Sequence, residues 1–314
     1  MKNKKCVTII GAGVMGHSIA ILFARGKWNV NLVDNNQDAL DKALSTIDSV
    51  LKFLHEHDGM SENPLEVKGR IHPSTSFKEN SQKSDLVIEA IVENVEVKRK
   101  LLKELASQID EDTIVASNTS YLNIFDIAPQ KLQENIIGAH FFSPPHIIPL
   151  VEIVPGPRTR KDIIPTVRKW LEDMEMTVLK LDKFIPGLVI NRIQRAIGRE
   201  TLYLIDEKIV SPEELDKAVK ASLGVRLPVL GVVARYDYAG LDMAMNAFNA
   251  PSIGLINEDK ISTTIQNLVK AGHLGVKTGK GIFDYSDKPM SETLKERDIK
   301  LIEIKKMLKS LGEI

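Results

Sequence analysis

Residues 7–26, VTIIGAGVMGHSIAILFARG, decide the fold of this 314-residue chain. VTII is a short apolar strand closed by Gly11, and beyond it Ile19, Leu22 and Phe23 recur at helical spacing until Gly26 stops the helix. Between strand and helix Gly11, Gly13 and Gly16 take the spacing G-x-G-x-x-G, with Val14 and Met15 inside the motif. Gly11 permits the tight turn, Gly13 lets backbone approach a pyrophosphate, and Gly16 lets the helix sit close on the sheet. The free N–H groups and positive dipole end of the helix then face a phosphate. Three glycines in a turn are common; their place between a strand and a helix is what points to a phosphate.

WNVNLVD (28–34) reads as the next strand and ends on Asp34, 23 positions after Gly11. A carboxylate there accepts hydrogen bonds from the adenosine ribose hydroxyls and repels a 2′-phosphate, which favours NAD over NADP; the competing reading is an aspartate that caps a turn or helix. A long helical stretch broken near HDGMSENP follows, then IHPSTSF, SDLVIEAIVE, the helix VKRKLLKELASQI, DTIVASN and NIIGAHFF. Val/Ile-rich runs alternating with helices predict a doubly wound α/β domain whose parallel sheet is covered on both faces. From GLVINRIQRAIGRETLYLIDEKIV (187–210) onward the apolar positions recur at three and four, and SPEELDKAV offers Ser211 as cap with Glu214 three residues on. The prediction is an α/β domain over 1–183 and a mainly helical domain over 184–314, entered through KFIPG.

Lys plus Arg and Asp plus Glu both total 42, which removes any broad electrostatic case for a nucleic-acid or membrane partner. Lys2, Lys4 and Lys5 run straight into CVTII with no cleavable signal pattern, and the single Cys6 has no internal disulfide partner. A soluble, cytoplasmic protein with a small-molecule ligand is expected. The seven histidines show no metal-ligand spacing, so no metal is expected.

A second stretch, GAHFFSPPHIIPLVEIVPG (138–156), holds His140 and Glu152 twelve positions apart with Pro144, Pro145 and Pro149 between them. Oxidising an alcohol requires a base for the hydroxyl proton, and an imidazole suits that near neutral pH. A carboxylate on the opposite ring nitrogen fixes the tautomer and stabilises the imidazolium. The reading is a proline-stiffened loop that preorganises a base and its orienting partner; a surface histidine and a strand-end glutamate are the alternative.

GAGVMG, VIEAIVENVEVK, ASNTS, GAHFFSPP…LVEIV and PGLVINR, in order from residue 5 to about 285, closely resemble the 3-hydroxyacyl-CoA dehydrogenase family, including bacterial 3-hydroxybutyryl-CoA dehydrogenases. The resemblance implies a Rossmann-type domain that binds NAD, followed by a helical substrate and dimerisation domain. It implies that His140 is the base, Glu152 its partner, and Ser120 and Asn191 the groups that position the reacting oxygen and neighbouring carbonyl. It implies that Glu93, Lys98 and Lys277 contact the cofactor, as does Ser120, and that the chain is a homodimer. Ser143 stands where the family has an asparagine that helps hold the catalytic and nicotinamide groups.

Two features bear on substrate. LGVRLPVLGVVARYDYAGLD (223–242) replaces the family's G-P-F-E type segment near the acyl pocket, and SPPHIIPLVEI, AGLD and the terminal charged helix together resemble a branch that oxidises small ring acids without CoA. His146 in that phrase reads as pocket wall or solvated loop. A CoA site needs cations, and residues 36–70 offer Lys42, Lys52, Lys68 and Arg70. Oxidation of a short-chain L-3-hydroxyacyl-CoA therefore leads, the same chemistry on a free hydroxy or hydroxymethyl acid follows, and a non-catalytic NAD-binding protein comes last. The terminal stretch SETLKERDIKLIEIKKMLKSLGEI reads as a helix packed on its own domain or as a subunit contact.

Overall fold

The computed structural model describes residues 5–77, 84–249, 254–256 and 259–314; Lys2 and Lys4 lie outside them. By its contacts the chain divides into two compact units, one ending at Val189 and one beginning at Ile190.

The first unit carries β1 (Cys6–Ile10), β2 (Asn29–Val33), β3 (Ile71–Ser74), β4 (Leu86–Glu89), β5 (Ile114–Ser117), β6 (Ile136–Phe141), β7 (Leu150–Pro155) and β8 (Thr177–Lys180). They form one sheet in the order β3-β2-β1-β4-β5-β6-β7-β8. Its helices are α1 (Val14–Arg25), α2 (Gln37–His57), α3 (Pro64–Lys68), α4 (Val95–Gln108), α5 (Ile124–Ile127) and α6 (Ile163–Glu172). Strand order reverses between β1 and β4, and the glycine loop leaves β1 at that switch point, where open α/β sheets bind ligands. Every residue of β4, β5 and β6 is buried. Such strands read as continuous apolar runs because helices cover both faces. Pro73 is tolerated in β3 because that strand lies at the sheet edge.

Helix α2 shows how the sequence makes its layer. Asn36 caps it by accepting from the Ala39 N–H at 3.1 Å, and Leu40, Ala43, Ile47, Leu51 and Leu54 form the buried stripe. Each large side chain of that stripe contributes about 1.5–3 kcal/mol by burial. A charge at Ile47, which is fully buried, would break the face.

One expectation is corrected. All neighbouring strands run parallel except β6 and β7, which are antiparallel. His140 and Glu152 are thus not the two ends of a loop: they face each other as register partners across that ladder. The β-branched run LVEIV pairs as a strand, and the prolines are confined to the turn, where missing N–H groups cost no ladder bonds.

The second unit holds α7 (Ile190–Asp206), α8 (Pro212–Ala221), α9 (Leu223–Leu230), α10 (Ala234–Ala239), α11 (Leu241–Asn249), α12 (Thr263–Lys270) and α13 (Met290–Leu311). Ser211 caps α8 by accepting from the Glu214 N–H at 3.3 Å, as its sequence predicts. Among α7, α8, α9, α10 and α12 no residue is buried.

Candidate active site

At the end of β1 the Gly11 N–H donates to Val33 O at 2.7 Å and the chain turns with φ +104°, a conformation that favours glycine. A Cβ on Gly16 would lie 1.7 Å from Gly11 O, so α1 can pack this close only with glycine there. A Cβ on Gly13 would meet nothing within 4 Å among the described residues. The loop is therefore closed on its protein side and open at Gly13, where α1 begins with no acidic residue in its first turn. That cradle fits a pyrophosphate. Val14 is exposed and Met15 half-buried beside it.

Asp34 braces the same loop. Its Oδ2 accepts from the Ala12 N–H at 2.8 Å, while Oδ1 accepts from the Asn36 N–H at 3.0 Å. A carboxylate offers about four acceptor sites, so both oxygens retain capacity for ribose hydroxyls. The turn-capping and ribose-binding readings of Asp34 are compatible.

Two strands beyond β4 in the sheet, His140 is 6% exposed, near the end of β6. Its Nδ1 lies 2.9 Å from Glu152 Oε2, and its Nε2 lies 2.9 Å from Ser120 Oγ. Glu152 is fully buried, and its Oε1 accepts from the Val189 N–H at 2.9 Å. A carboxylate accepts, so Nδ1 carries the ring proton and Nε2 presents its lone pair toward Ser120. The Phe142 ring packs edge-on against the imidazole with centroids 4.6 Å apart.

Ser120 is held from below. Glu93 Oε1 accepts from the Ser120 N–H at 3.2 Å, the Tyr121 N–H at 3.1 Å and the Thr119 hydroxyl. Burial raises the Glu93 carboxyl's pKa, but Thr119, the Tyr121 N–H and Lys98 outweigh it and leave it below its ordinary range. Lys98 is 1% exposed, with Nζ 2.6 Å from Glu89 Oε1 and 3.2 Å from Glu93 Oε2. The lysine read as a cofactor contact is thus clasped by two carboxylates. Glu89 is fully buried, accepting also from Ile91 N–H and the Ser117 hydroxyl.

The first unit thus brings together Gly11, Gly13, Gly16, Asp34, Glu93, Lys98, Ser120, His140 and Glu152. Ser143 is exposed on the turn after β6. Asn191 lies in the first turn of α7 and Lys277 is exposed in a 3₁₀ turn, Val276–Thr278, both in the second unit. The solvated-loop reading of His146 is corrected: it is buried, and Nδ1 meets Ser18 Oγ at 2.5 Å. Proline-rich turns look polar and exposed in sequence, yet this one folds back on α1. Glu89 and Asn118 escaped the sequence reading. Asn118 Oδ1 accepts from the Phe141 N–H at 2.8 Å and ties the end of β5 to β6. A charged residue ending an otherwise apolar strand, as Glu89 does in LVIE, was the available signal. Among the described residues no cluster of His, Cys, Asp or Glu suits a metal ion, and no helix is long and apolar enough to cross a membrane.

A dinucleotide cradle at the switch point, with a carboxylate-oriented histidine on β6 of the same sheet, defines an NAD-dependent oxidoreductase of the Rossmann type. Residues 6–184 match the 3-hydroxyacyl-CoA dehydrogenase NAD binding domain and residues 187–285 the C-terminal domain of the same enzymes, so the chain belongs to the 3-hydroxyacyl-CoA dehydrogenase family. It is 34% identical over 280 residues to a probable 3-hydroxybutyryl-CoA dehydrogenase of Deinococcus radiodurans, covering 88% of this chain and 99% of that protein. It is 30% identical over 303 residues to the 5-formyl-3-hydroxy-2-methylpyridine 4-carboxylate 5-dehydrogenase of Mesorhizobium japonicum, covering 96% and 97%. A crystal structure of a dehydrogenase of that latter name, described as an NAD+-dependent dismutase, superimposes with a TM-score of 0.88 at 28% identity over 98% of this chain and 99% of that one. The (S)-3-hydroxybutyryl-CoA dehydrogenase from Ralstonia eutropha gives 0.70 at 30% identity over 90% and 99%.

Proposed function

We propose that the protein interconverts a short-chain L-3-hydroxyacyl-CoA and the corresponding 3-ketoacyl-CoA with NAD, using His140 as the base. The observation that carries the chemistry is the imidazole held at both nitrogens, by Glu152 at Nδ1 and Ser120 at Nε2. His140 Nε2 takes the substrate hydroxyl proton, and the buried Glu152 carboxylate stabilises the imidazolium that results. Ser120 hydrogen-bonds the reacting oxygen and keeps it within reach of Nε2. NAD, when bound, supplies the acceptor for the hydrogen leaving the carbinol carbon. The glycine loop and Asp34 hold its adenosine pyrophosphate, with Glu93 and Ser143 assigned to the nicotinamide side. Asn191 and Lys277 are the second unit's contributions to substrate and cofactor. Lys98 acts on the cofactor through Glu93. Family membership along both units supports the acyl-CoA substrate.

A second reading, a free aromatic hydroxymethyl or aldehyde acid, is favoured by two observations. The fold follows the pyridine carboxylate dehydrogenase more closely than the hydroxybutyryl-CoA enzyme. Two of the four cations offered to CoA phosphates are already paired, Lys68 with Asp48 at 2.7 Å and Arg70 with Glu62. Turnover of acetoacetyl-CoA with NADH, set against free acetoacetate and aromatic aldehyde acids, decides. The acyl-CoA reading expects the thioester to dominate, and a preference for the free acids overturns it. His140→Ala should lower kcat by about 10²–10⁴-fold on whichever substrate is used, with NAD still bound. Near-normal turnover in that variant removes His140 from the mechanism.

A cytoplasmic homodimer through the second unit completes the proposal. Val225, Val233, Leu241 and Met243 are each about two-thirds exposed or more, an apolar surface that a second copy would cover. Sedimentation at micromolar concentration should give twice the 35.0 kDa chain mass, and a monomer at that concentration refutes it.

A further inference from the structure

We infer that His146 and Ser18 form a positioning pair that fixes the His140–Glu152 hairpin against the cofactor helix. The inference rests on the proposed role of His140. Ser18 is 1% exposed on α1, little more than a turn past the glycine loop, and His146 is 7% exposed in the turn between β6 and β7. Their hydrogen bond spans 128 positions of chain. It joins the helix whose N-terminus receives the pyrophosphate to the hairpin that carries the base.

The turn is tied down at each stage. Where it leaves β6, Phe142 packs on the His140 ring, with centroids 4.6 Å apart. In its middle the Pro144 carbonyl accepts from Ile147 and Ile148 N–H at 2.9 and 3.0 Å, which closes a compact bend and turns His146 into the protein. There Ser18 meets the imidazole, and Arg25, also on α1, donates to the His146 carbonyl at 3.4 Å while pairing with Asp58 beyond the end of α2 at 3.1 Å. Where the turn enters β7, the Pro149 carbonyl accepts from the Thr177 N–H at 2.6 Å. A hydrogen bond between two side chains taken out of water is costly to break, so it resists sliding of the turn along α1. Because Phe142 touches the catalytic ring, a shift of the turn reaches His140 without any change in Glu152 or Ser120. A pair that only satisfied two buried polar groups would affect stability and leave the ring of His140 alone.

The test uses Ser18→Ala, His146→Phe and His146→Asn, the last because an amide can place a polar atom near the lost Nδ1. Histidine-labelled protein, free of ligand, is followed by nitrogen NMR, with melting temperature as the control for folding. The His140 ring signals should move in Ser18→Ala and His146→Phe and return toward wild type in His146→Asn. In turnover, the first two should lose about tenfold to a hundredfold in kcat, the scale of a 1 Å misplacement, while KM and NAD affinity stay near wild type. Unmoved His140 signals in folded Ser18→Ala and His146→Phe overturn the inference, as does wild-type kcat in proteins that have merely lost melting temperature. If the wild-type protein turns over no hydroxyacyl-CoA or free acid, the proposed function fails, and the ring signals still decide this pair.

Discussion

At the scale of single residues, the glycine loop separates two demands that the motif spacing merges. Gly16 is needed by the protein itself, because a Cβ there would occupy the place of Gly11 O. The protein itself makes no such demand at Gly13, where a Cβ would meet nothing within 4 Å among the described residues; under the proposed function the demand comes from the pyrophosphate. The Gly13 φ of −67° is also one that alanine adopts without strain. Gly13→Ala should therefore melt like the wild type without NAD and bind NAD at least about tenfold more weakly, since a methyl group keeps backbone from approaching the pyrophosphate. Gly16→Ala should lose stability whether or not NAD is present. Calorimetric NAD titrations beside thermal melts separate the two. Unweakened NAD binding by Gly13→Ala would mean that the pyrophosphate lies elsewhere.

Among elements, the junction of β4, α4 and the segment after β5 rests on the buried Glu89–Lys98 pair, with the exposed Glu93 carboxylate as the lysine's second partner. Removing one partner of such a cluster leaves an uncompensated charge, which typically costs about 3–5 kcal/mol, whereas replacing the pair by neutral groups is far cheaper. Lys98→Met should thus lose stability on that scale in urea unfolding, and Glu89→Gln with Lys98→Met should recover part of it. Both tryptophans, Trp28 and Trp170, lie in the first unit, so their fluorescence reads this transition. No recovery in the double variant would show that the loss came from packing of the lysine stem. This cluster marks where sequence reading stops. The strand–turn–helix placement of GAGVMG and the strand-end place of Asp34 were legible because both are local features of the chain. The β6–β7 ladder was not, because three prolines read as one long loop and nothing in an apolar run such as LVEIV states the direction of its neighbour. The pairing of Lys98 with Glu89, the Asn118 bond to Phe141 and the Ser18–His146 bond depend on which strands become neighbours, a tertiary fact that spacing does not carry.

For the whole molecule, each unit has a carboxylate locked by its partners, and both make stability depend on acidity with the same sign. In the first unit the guanidinium of Arg70, helped by Lys27, holds Glu62 down to about 2 despite the counteracting burial. In the second, burial raises the pKa of Asp206, but the hydroxyls of Thr264 and Ser262 and the Thr263 and Thr264 N–H groups at the start of α12 overcome it and hold it at about 2. Because the folded value is the lower one, the unfolded chain takes up the proton first. The stabilisation is complete above the ordinary carboxylate range near pH 4 and drains away as pH falls through about 2. Asp206→Asn tests this without disturbing the first unit's residues. At pH 7 the variant should be about 1–3 kcal/mol less stable, because an amide accepts fewer and weaker bonds than a carboxylate from these four donors. As acid protonates Asp206 in the wild type, the gap between the two proteins should narrow from pH 4 toward pH 2. Urea unfolding followed by far-ultraviolet circular dichroism at steps across that interval measures it. A gap that stays constant down to pH 2 would mean that the Asp206 charge contributes nothing and that only the shape of the side chain holds α7 to α12.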